Sequence, residues 1–525
     1  LKFEVSNNGS KFILKESTRE EYNQIKNVLT PFVKGYRFMP RFINTTWNGK
    51  FDYFNNGVID FGLWHECYKT CKEYGYPFQV ENKEKFPRDN SITLAKVKEF
   101  ANEFYKDHMN DKGEKFTPYD HQISAIYKML KNKYCAIEVA TAGGKSLIFS
   151  TMIFYILKKI NPDAKILLIV PNISLVTQFY DDIMDYNLGF NNDNKNPLDI
   201  SIQEVMSDRP RKNRDDVEPN IFIGTYQSLI NWGTPELEPD FYKQFELVSV
   251  DECHRAKAAQ IQTIMKRTYE YSEYRIGMSG TYPTEGSSEM LAIESVTGPV
   301  VIKVKAKELM EKGLISNVKI KALLLQYDDE KFAQNIMTIK KHGGGKRAFD
   351  LEREYIQTSE KRKAFIGKLV NKFKNNSLVL FHHTIYGTEL YEYCRSNVMD
   401  KDFYYIDGST PTKKRNHIKK EMEKTDGRPK ILIASYGTLS TGVSIKALKN
   451  VVFAESFKSA QIILQSIGRI LRLHSDKKDS QAMVFDLVDQ FHSSYKTTLY
   501  KHYESRKNEL YVKEEYPFDE LKAIL

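Results

Sequence analysis

From residue 134 onward the chain alternates short apolar runs rich in β-branched residues with longer helix-like segments: 135–139 then 146–157, and 166–170 then 174–184. A strand apolar along its whole length must be covered on both faces, and a helix after each strand is the connection a parallel sheet needs. Further strands are expected at 221–224, 247–250 and 274–278. A second series follows a join at 305–317, with strands expected at 377–381, 431–434, 451–454 and 483–487. The expected class is therefore α/β, with two tandem parallel-sheet domains at 106–312 and 313–490.

At 525 residues the chain is long enough for three or four domains. Residues 1–105 read as a small α+β module, with an alternating stretch at 11–14 and helix-like segments at 19–29 and 63–74. The polar segment 110–115, with Gly113, is its expected linker. Residues 491–525 read as a short helical extension carrying Lys496, Lys501, Arg506 and Lys507. The tract 340–347, with Gly343, Gly344 and Gly345 among basic residues, reads as a flexible surface loop.

A net charge of +10, an isoelectric point near 8.9 and 13% aromatic residues are compatible with a polyanionic partner, and equally with an ordinary enzyme. The five scattered cysteines exclude a disulfide scaffold and point to a reducing compartment. Cys67 and Cys71 share a helical spacing, but no second pair completes a zinc site. No apolar run approaches the roughly 18 residues that span a bilayer, and the opening LKFEVSNNGS has no signal-peptide pattern, so a cytoplasmic protein without a membrane is expected. The absence of a first Met reads as a trimmed start.

The segment EVATAGGKS, residues 138–146, lies between an expected strand and an expected helix. Gly143 and Gly144 permit a tight turn whose amides face anionic oxygens; Lys145 can reach terminal phosphates and Ser146 can hold Mg²⁺. The strict phosphate-loop pattern wants Gly where Val139 stands. The next constellation is VDECH, with Asp251 and Glu252 at the carboxyl end of a strand, 106 residues after the loop lysine. Asp251 suits a Mg²⁺ anchor, and Glu252 suits the group that takes a proton from, or orients, an attacking water. His254 either couples this site to the second domain or packs locally.

In QSIGRILR, Arg469 and Arg472 stand at i and i+3 on a helix, the geometry of a two-arginine clamp on developing phosphate charge, with Arg472 as the finger. Polar residues after expected strands, Pro171, Asn172 and Gln178 in VPNISLVTQF and Thr225 and Gln227 in GTYQSL, either hold a sugar-phosphate backbone or cap helices. Ser279, Gly280 and Thr281 form a further strand-end turn. From Lys34 to Lys50 four basic residues, Arg37 and Arg41 among them, alternate with Tyr36, Phe38, Phe42 and Trp47, and no acid intervenes. Such a patch can grip phosphates while a ring stacks on a base; Phe38, Phe42 and Trp47 could equally be the core of a small domain.

In order from Phe116 to Arg472, these motifs resemble those of the superfamily 2 DEAD/H-like helicases, which tolerate the missing loop glycine. The resemblance implies two RecA-like motor domains that use ATP and Mg²⁺. It implies that Phe116 and Gln122 meet adenine, and that Thr141 and Gly442 help hold the nucleotide. Gln122 has the donor and acceptor a base edge requires. His382, in VLFHH, and Thr438, in ASYGTLSTGVSI with Ser440 and Thr441, are implied strand contacts. The segments YRFMPRF, WNGKFDYFNNGVIDFG and LMEKGLISNVKI resemble a phage-encoded branch of that family. That branch implies a monomeric DNA helicase acting on forks, Holliday junctions and single-stranded DNA in recombination, repair and stalled-fork processing. Branch migration, annealing and 3′-to-5′ stepping are implied with it, and phage recombination or single-strand-binding proteins are implied partners. The motor motifs leave open a double-stranded DNA translocase of a remodelling or restriction complex, and an RNA helicase.

Overall fold

Eighteen strands in three sheets organise the chain in a computed structural model that describes residues 1–525 except 111–112, 191–192, 207–217, 233–239, 257, 426, 440–444, 446, 457–462, 464–465 and 469–480. The first sheet contains β1 (Lys2–Val5), β2 (Lys11–Glu16), β3 (Val58–Asp60) and β4 (Gln79–Glu81) in the order β3-β2-β1-β4. Only β4 runs parallel to its neighbour, because the helix Trp64–Tyr74 carries the chain across one face to reach it. Phe3, Phe12, Phe54, Ile59 and Phe61 form the core of this module. Cys67 and Cys71 are part of that core, apolar filling of one helical face.

The second sheet is formed by β5 (Tyr134–Val139), β6 (Lys165–Val170), β7 (Ile202–Val205), β8 (Ile221–Thr225), β9 (Phe245–Asp251), β10 (Tyr274–Ser279) and β11 (Val300–Val304). Its order is β11-β5-β10-β9-β6-β8-β7, and every pair is parallel. The third sheet contains β12 (Val318–Gln326), β13 (Ser377–Phe381), β14 (Asp402–Ile406), β15 (Lys430–Ser435), β16 (Asn450–Phe453), β17 (Ala482–Gln490) and β18 (Phe518–Ile524). It is parallel throughout, in the order β14-β15-β13-β16-β17-β12-β18. Central strands such as β13, SLVLF, are buried at every position, which is why they read as continuous apolar runs.

These are the two RecA-like sheets and the small front domain expected. The chain divides into two compact units: Leu1–Ala140 with Gly144–Val304, and Lys305–Leu525 with Thr141–Gly143. The front module thus packs with the first parallel sheet as one body. Tyr53 donates to the Ser288 carbonyl at 3.0 Å, and Phe61 meets Tyr134 edge-on with ring centroids 6.0 Å apart.

In the tail, the helix Thr498–Arg506 and the turns of Lys507–Val512 are the expected helical part. Beyond them β18 returns to edge the third sheet, a strand that FDELKAI, half polar, did not advertise. The glycine tract differs from its sequence reading. Helices Glu330–Lys341 and Gly345–Thr358 run almost to each other, and Gly343, at φ 81°, makes a tight turn between them rather than a flexible loop. Among the described residues no helix is long and apolar enough to cross a membrane.

Candidate active site

Because β10 lies between β5 and β9, the loop after β5 and the acids at the end of β9 stand two strand spacings apart, about 10 Å. The register aligns them: Met278 pairs with Asp251 on one side and with Ile137 on the other. After Val139 the chain turns through Ala142 at φ 68° and Gly144 at φ 83°, and the helix Lys145–Tyr155 begins. Two left-handed residues before a helix N-terminus aim successive amides at one point, the form of an anion cradle. Lys145 folds back over this turn, its Nζ 3.3 Å from the Val139 carbonyl, and Ser146 follows it on the helix. Gly143 is buried and Thr141 half-buried in the turn.

Asp251 and Glu252 are neighbours whose carboxyls are shifted in opposite directions. Burial, with the Glu252 charge beside it, pushes the Asp251 carboxyl well above the usual carboxylate range. Its Oδ1 has no hydrogen-bond partner among the described residues. A buried carboxylate oxygen without a partner is costly alone and suits a cation, so the donor set fits Mg²⁺ with Asp251 and Ser146 as protein oxygens. Burial also opposes the Glu252 charge, but the hydrogen bond from His254 and the charge of Lys145 outweigh it and hold that carboxyl below its ordinary range. His254 Nδ1 lies 3.2 Å from Glu252 and 2.9 Å from the Ser279 hydroxyl, which donates to the Thr281 carbonyl at 2.7 Å. Glu252 adopts φ 52°, a left-handed conformation costing a side-chain-bearing residue about 1–3 kcal/mol, retained where surrounding structure imposes it.

Gln122 is buried; its Oε1 accepts the Tyr119 amide at 2.8 Å, and its amide nitrogen lies against Gly144. Phe116 belongs to an aromatic wall with Tyr105, Tyr186 and Phe190. Asn172 caps the helix Ile173–Leu188 by accepting from Leu175, and buried Thr225 does the same for Ser228. Pro171 is buried, Gln178 is half-buried beside Asp182, and Gln227 is exposed. In the second unit His382 is exposed after β13, its amide donating to Glu455 at 2.6 Å, while Thr438 is buried with its hydroxyl 2.6 Å from Ser435. Gly442, Arg469 and Arg472 lie outside the described residues, as do Ser440 and Thr441.

In the front module Phe38 is 86% exposed, so it is no core residue. Arg41 stacks over half-buried Trp47 with its guanidinium 5.2 Å from the ring centroid, Lys50 lies 4.8 Å over Phe32, and Arg37 lies 5.7 Å over Tyr36. Two linking residues escaped the sequence reading. Tyr282 lies 2.8 Å from Cys253 and donates to the Ile137 carbonyl at 3.1 Å, tying the acid strand to the loop strand. Glu455 binds the amides of both His382 and His383; a lone acid after an apolar strand was its only signal.

The chain matches the family described as Type III restriction enzyme, res subunit, over residues 115–284, and the Helicase conserved C-terminal domain over residues 360–474. It is 30% identical over 474 residues to the ATP-dependent DNA helicase uvsW of Enterobacteria phage T4, covering 89% of this chain and 87% of that protein. The crystal structure of T4 UvsW aligns over 100% of this chain and 99% of its own, with 24% identity and a TM-score of 0.49. The Type ISP restriction-modification enzyme LlaBIII bound to DNA aligns over 77% of this chain and 31% of its own, with 13% identity and a TM-score of 0.57.

Proposed function

This chain belongs to the superfamily 2 helicases, as an ATP-dependent enzyme related to the UvsW-type recombination and repair helicases, and from that premise we propose that it remodels branched DNA such as forks and Holliday junctions. The observation that carries the DNA reading is the exposure of Phe38 in a front module that also places Arg41 over half-buried Trp47 and is packed against the first motor sheet. A ring held open to solvent in a module with exposed arginines, Arg37 and Arg41, suits a split base pair and its phosphates better than it suits folding.

In this reading the amides before Lys145 and the Lys145 charge hold the ATP phosphates, with Gln122 and Phe116 on the adenine side and Thr141 and Gly442 nearby. Mg²⁺, held by Ser146 and Asp251, would supply neutralisation of phosphate charge. Glu252, kept ionised by His254, takes a proton from the attacking water. Arg469 and Arg472 meet the charge that develops on the departing phosphate. The hydrogen-bond chain from Glu252 through His254 to Ser279 gives hydrolysis a route to the Ser279–Thr281 turn. Backbone contacts near Asn172, Gln178, Gln227, His382 and Thr438 would grip one strand, and movement follows only if that grip differs between nucleotide states.

The deciding experiment is an ATPase panel on single-stranded DNA, plain duplex, forks, four-way junctions and matched RNAs at one ionic strength. The reading expects the largest stimulation from forks and junctions, with strand separation on the same substrates. Equal stimulation by plain duplex without unwinding would replace it with duplex translocation, and preferential RNA stimulation with an RNA helicase.

A further inference from the structure

Where the front module meets the first motor sheet, a buried cluster lies apart from the nucleotide chemistry. The helix Trp64–Tyr74 contributes His65 and Glu66, and the helix Ser288–Thr297 contributes Glu294. His65 Nε2 stands 3.4 Å from Oε1 of Glu66 and 3.3 Å from Oε1 of Glu294. Both carboxylates are buried, at 4% and 3% exposure, and Oε2 of Glu294 has no hydrogen-bond partner among the described residues. Neighbouring helix positions point about 100° apart, so His65 and Glu66 converging on one point departs from what a helix does by default.

Three observations bear on what the cluster can hold. His65 Nδ1 lies 3.2 Å from the Gly62 carbonyl, which can only accept, so Nδ1 carries a proton and Nε2 is the nitrogen that faces the carboxylates. A carbonyl-anchored Nδ1–H is the usual outer partner of a histidine that ligates through Nε2. The distances fit the same reading. Ligand atoms about 2.0–2.1 Å from a tetrahedral zinc stand roughly 3.3 Å apart, the separation of His65 Nε2 from each of the two carboxylate oxygens. The charge also fits, because two buried carboxylates face one imidazole while nearby Lys69 is paired with Glu285. Close packing holds the arrangement: a Cβ on Gly62 would stand 1.9 Å from the Glu294 carbonyl oxygen, so the turn Phe61–Leu63 presses directly on the last turn of the Glu294 helix.

We propose that His65, Glu66 and Glu294 bind a zinc-type divalent ion that clamps the front module to the first motor sheet. The nitrogen donor selects a transition-metal ion over Mg²⁺ or Ca²⁺. Three protein donors leave the fourth position of a tetrahedral ion to the second oxygen of Glu294 or to a water, and the binding energy is added to the stability of the joined unit.

The test uses the full chain, stripped of metal with a chelator, desalted and equilibrated with zinc chloride in the absence of nucleotide. The expected result is about one zinc retained per chain, a raised unfolding temperature, and a Co²⁺ spectrum without thiolate charge transfer. Glu294→Gln, nearly the same shape, and His65→Gln should each weaken zinc binding about 100-fold or more. A Cys67→Ser/Cys71→Ser double variant should retain it. Wild-type protein holding no stoichiometric zinc overturns the proposal, as does Glu294→Gln binding as tightly as wild type or zinc lost with the two cysteines. If a variant fails to fold, wild-type stoichiometry and the Co²⁺ spectrum still decide.

Discussion

The side-chain amide nitrogen of Gln122 occupies the place beside Gly144 where a Cβ would have to stand, 2.2 Å from that position. Gly144 is also left-handed, at φ 83°, which costs an alanine about 1–2 kcal/mol. Gly144→Ala should therefore displace the buried amide, distort the loop and weaken nucleotide binding by more than about tenfold, as read by titration with a fluorescent ATP analogue. Adding Gln122→Ala should recover part of the loss. No recovery would mean that the glycine is needed for its backbone alone.

The unequal carboxylates predict separable defects. Glu252→Gln should cut DNA-stimulated turnover by about 100-fold or more while nucleotide still binds, because only the proton acceptor is removed. Lys145→Ala should lose binding as well. Arg472→Ala should resemble Glu252→Gln, binding ATP without hydrolysing it at speed. Near-normal steady-state turnover in all three would remove the assigned chemistry from these residues.

Asp251 gives a pH test in the absence of metal and nucleotide. Its folded-state pKa is raised from 3.8 to about 7 by burial and by Glu252, so the folded protein holds that proton more tightly than the unfolded chain. Stability should fall as pH rises from about 4 to 7 and then level off, since the buried charge is fully present only above the folded pKa. Asp251→Asn should therefore melt at the wild-type temperature in acid and above it at pH 8. An equal offset at every pH would show that the carboxyl is not strained by burial.

Most central strands of the two parallel sheets, and the turn that precedes Lys145, were legible because burial on both faces and a tight glycine turn each impose residue types directly; the order of the strands, and β7, β11, β12 and β14, were not read. β13 was read to the residue, at 377–381. What stayed hidden depends on contacts distant in sequence. Nothing local in FDELKAI tells that it pairs with β12, nearly 200 residues earlier, and nothing in WHE tells that Glu294 waits opposite. The front patch was ambiguous for another reason: Phe and Trp serve a core and a stacking platform equally well, and only the exposure of Phe38 separates the two.

That exposure carries a prediction of its own. Phe38→Ala and Trp47→Ala should weaken fork binding by about 1–3 kcal/mol each if a base stacks there, with little change in ATPase turnover at saturating DNA. Arg41→Ala and Arg37→Ala should also lower the salt dependence of binding, by about one phosphate contact each. Fork affinity untouched by all four would remove the front module from DNA recognition.

The tail is held by a buried ion pair whose removal should be felt through the second unit. Arg506 donates to both oxygens of Asp486, at 3.1 and 2.9 Å, and Tyr511 donates to the same carboxylate at 2.8 Å. Asp486 lies on β17, so the charge it would strand lies inside the third sheet rather than at the surface. Arg506→Ala should destabilise that unit by about 3–5 kcal/mol, the typical cost of leaving one buried partner uncompensated. Arg506→Met with Asp486→Asn should lose much less, because the amide keeps an acceptor for Tyr511 and no charge remains to be buried. Denaturant melts of the single and double variants measure the difference, and a double variant as unstable as Arg506→Ala would show that the helix Thr498–Arg506 is held by packing and not by this pair.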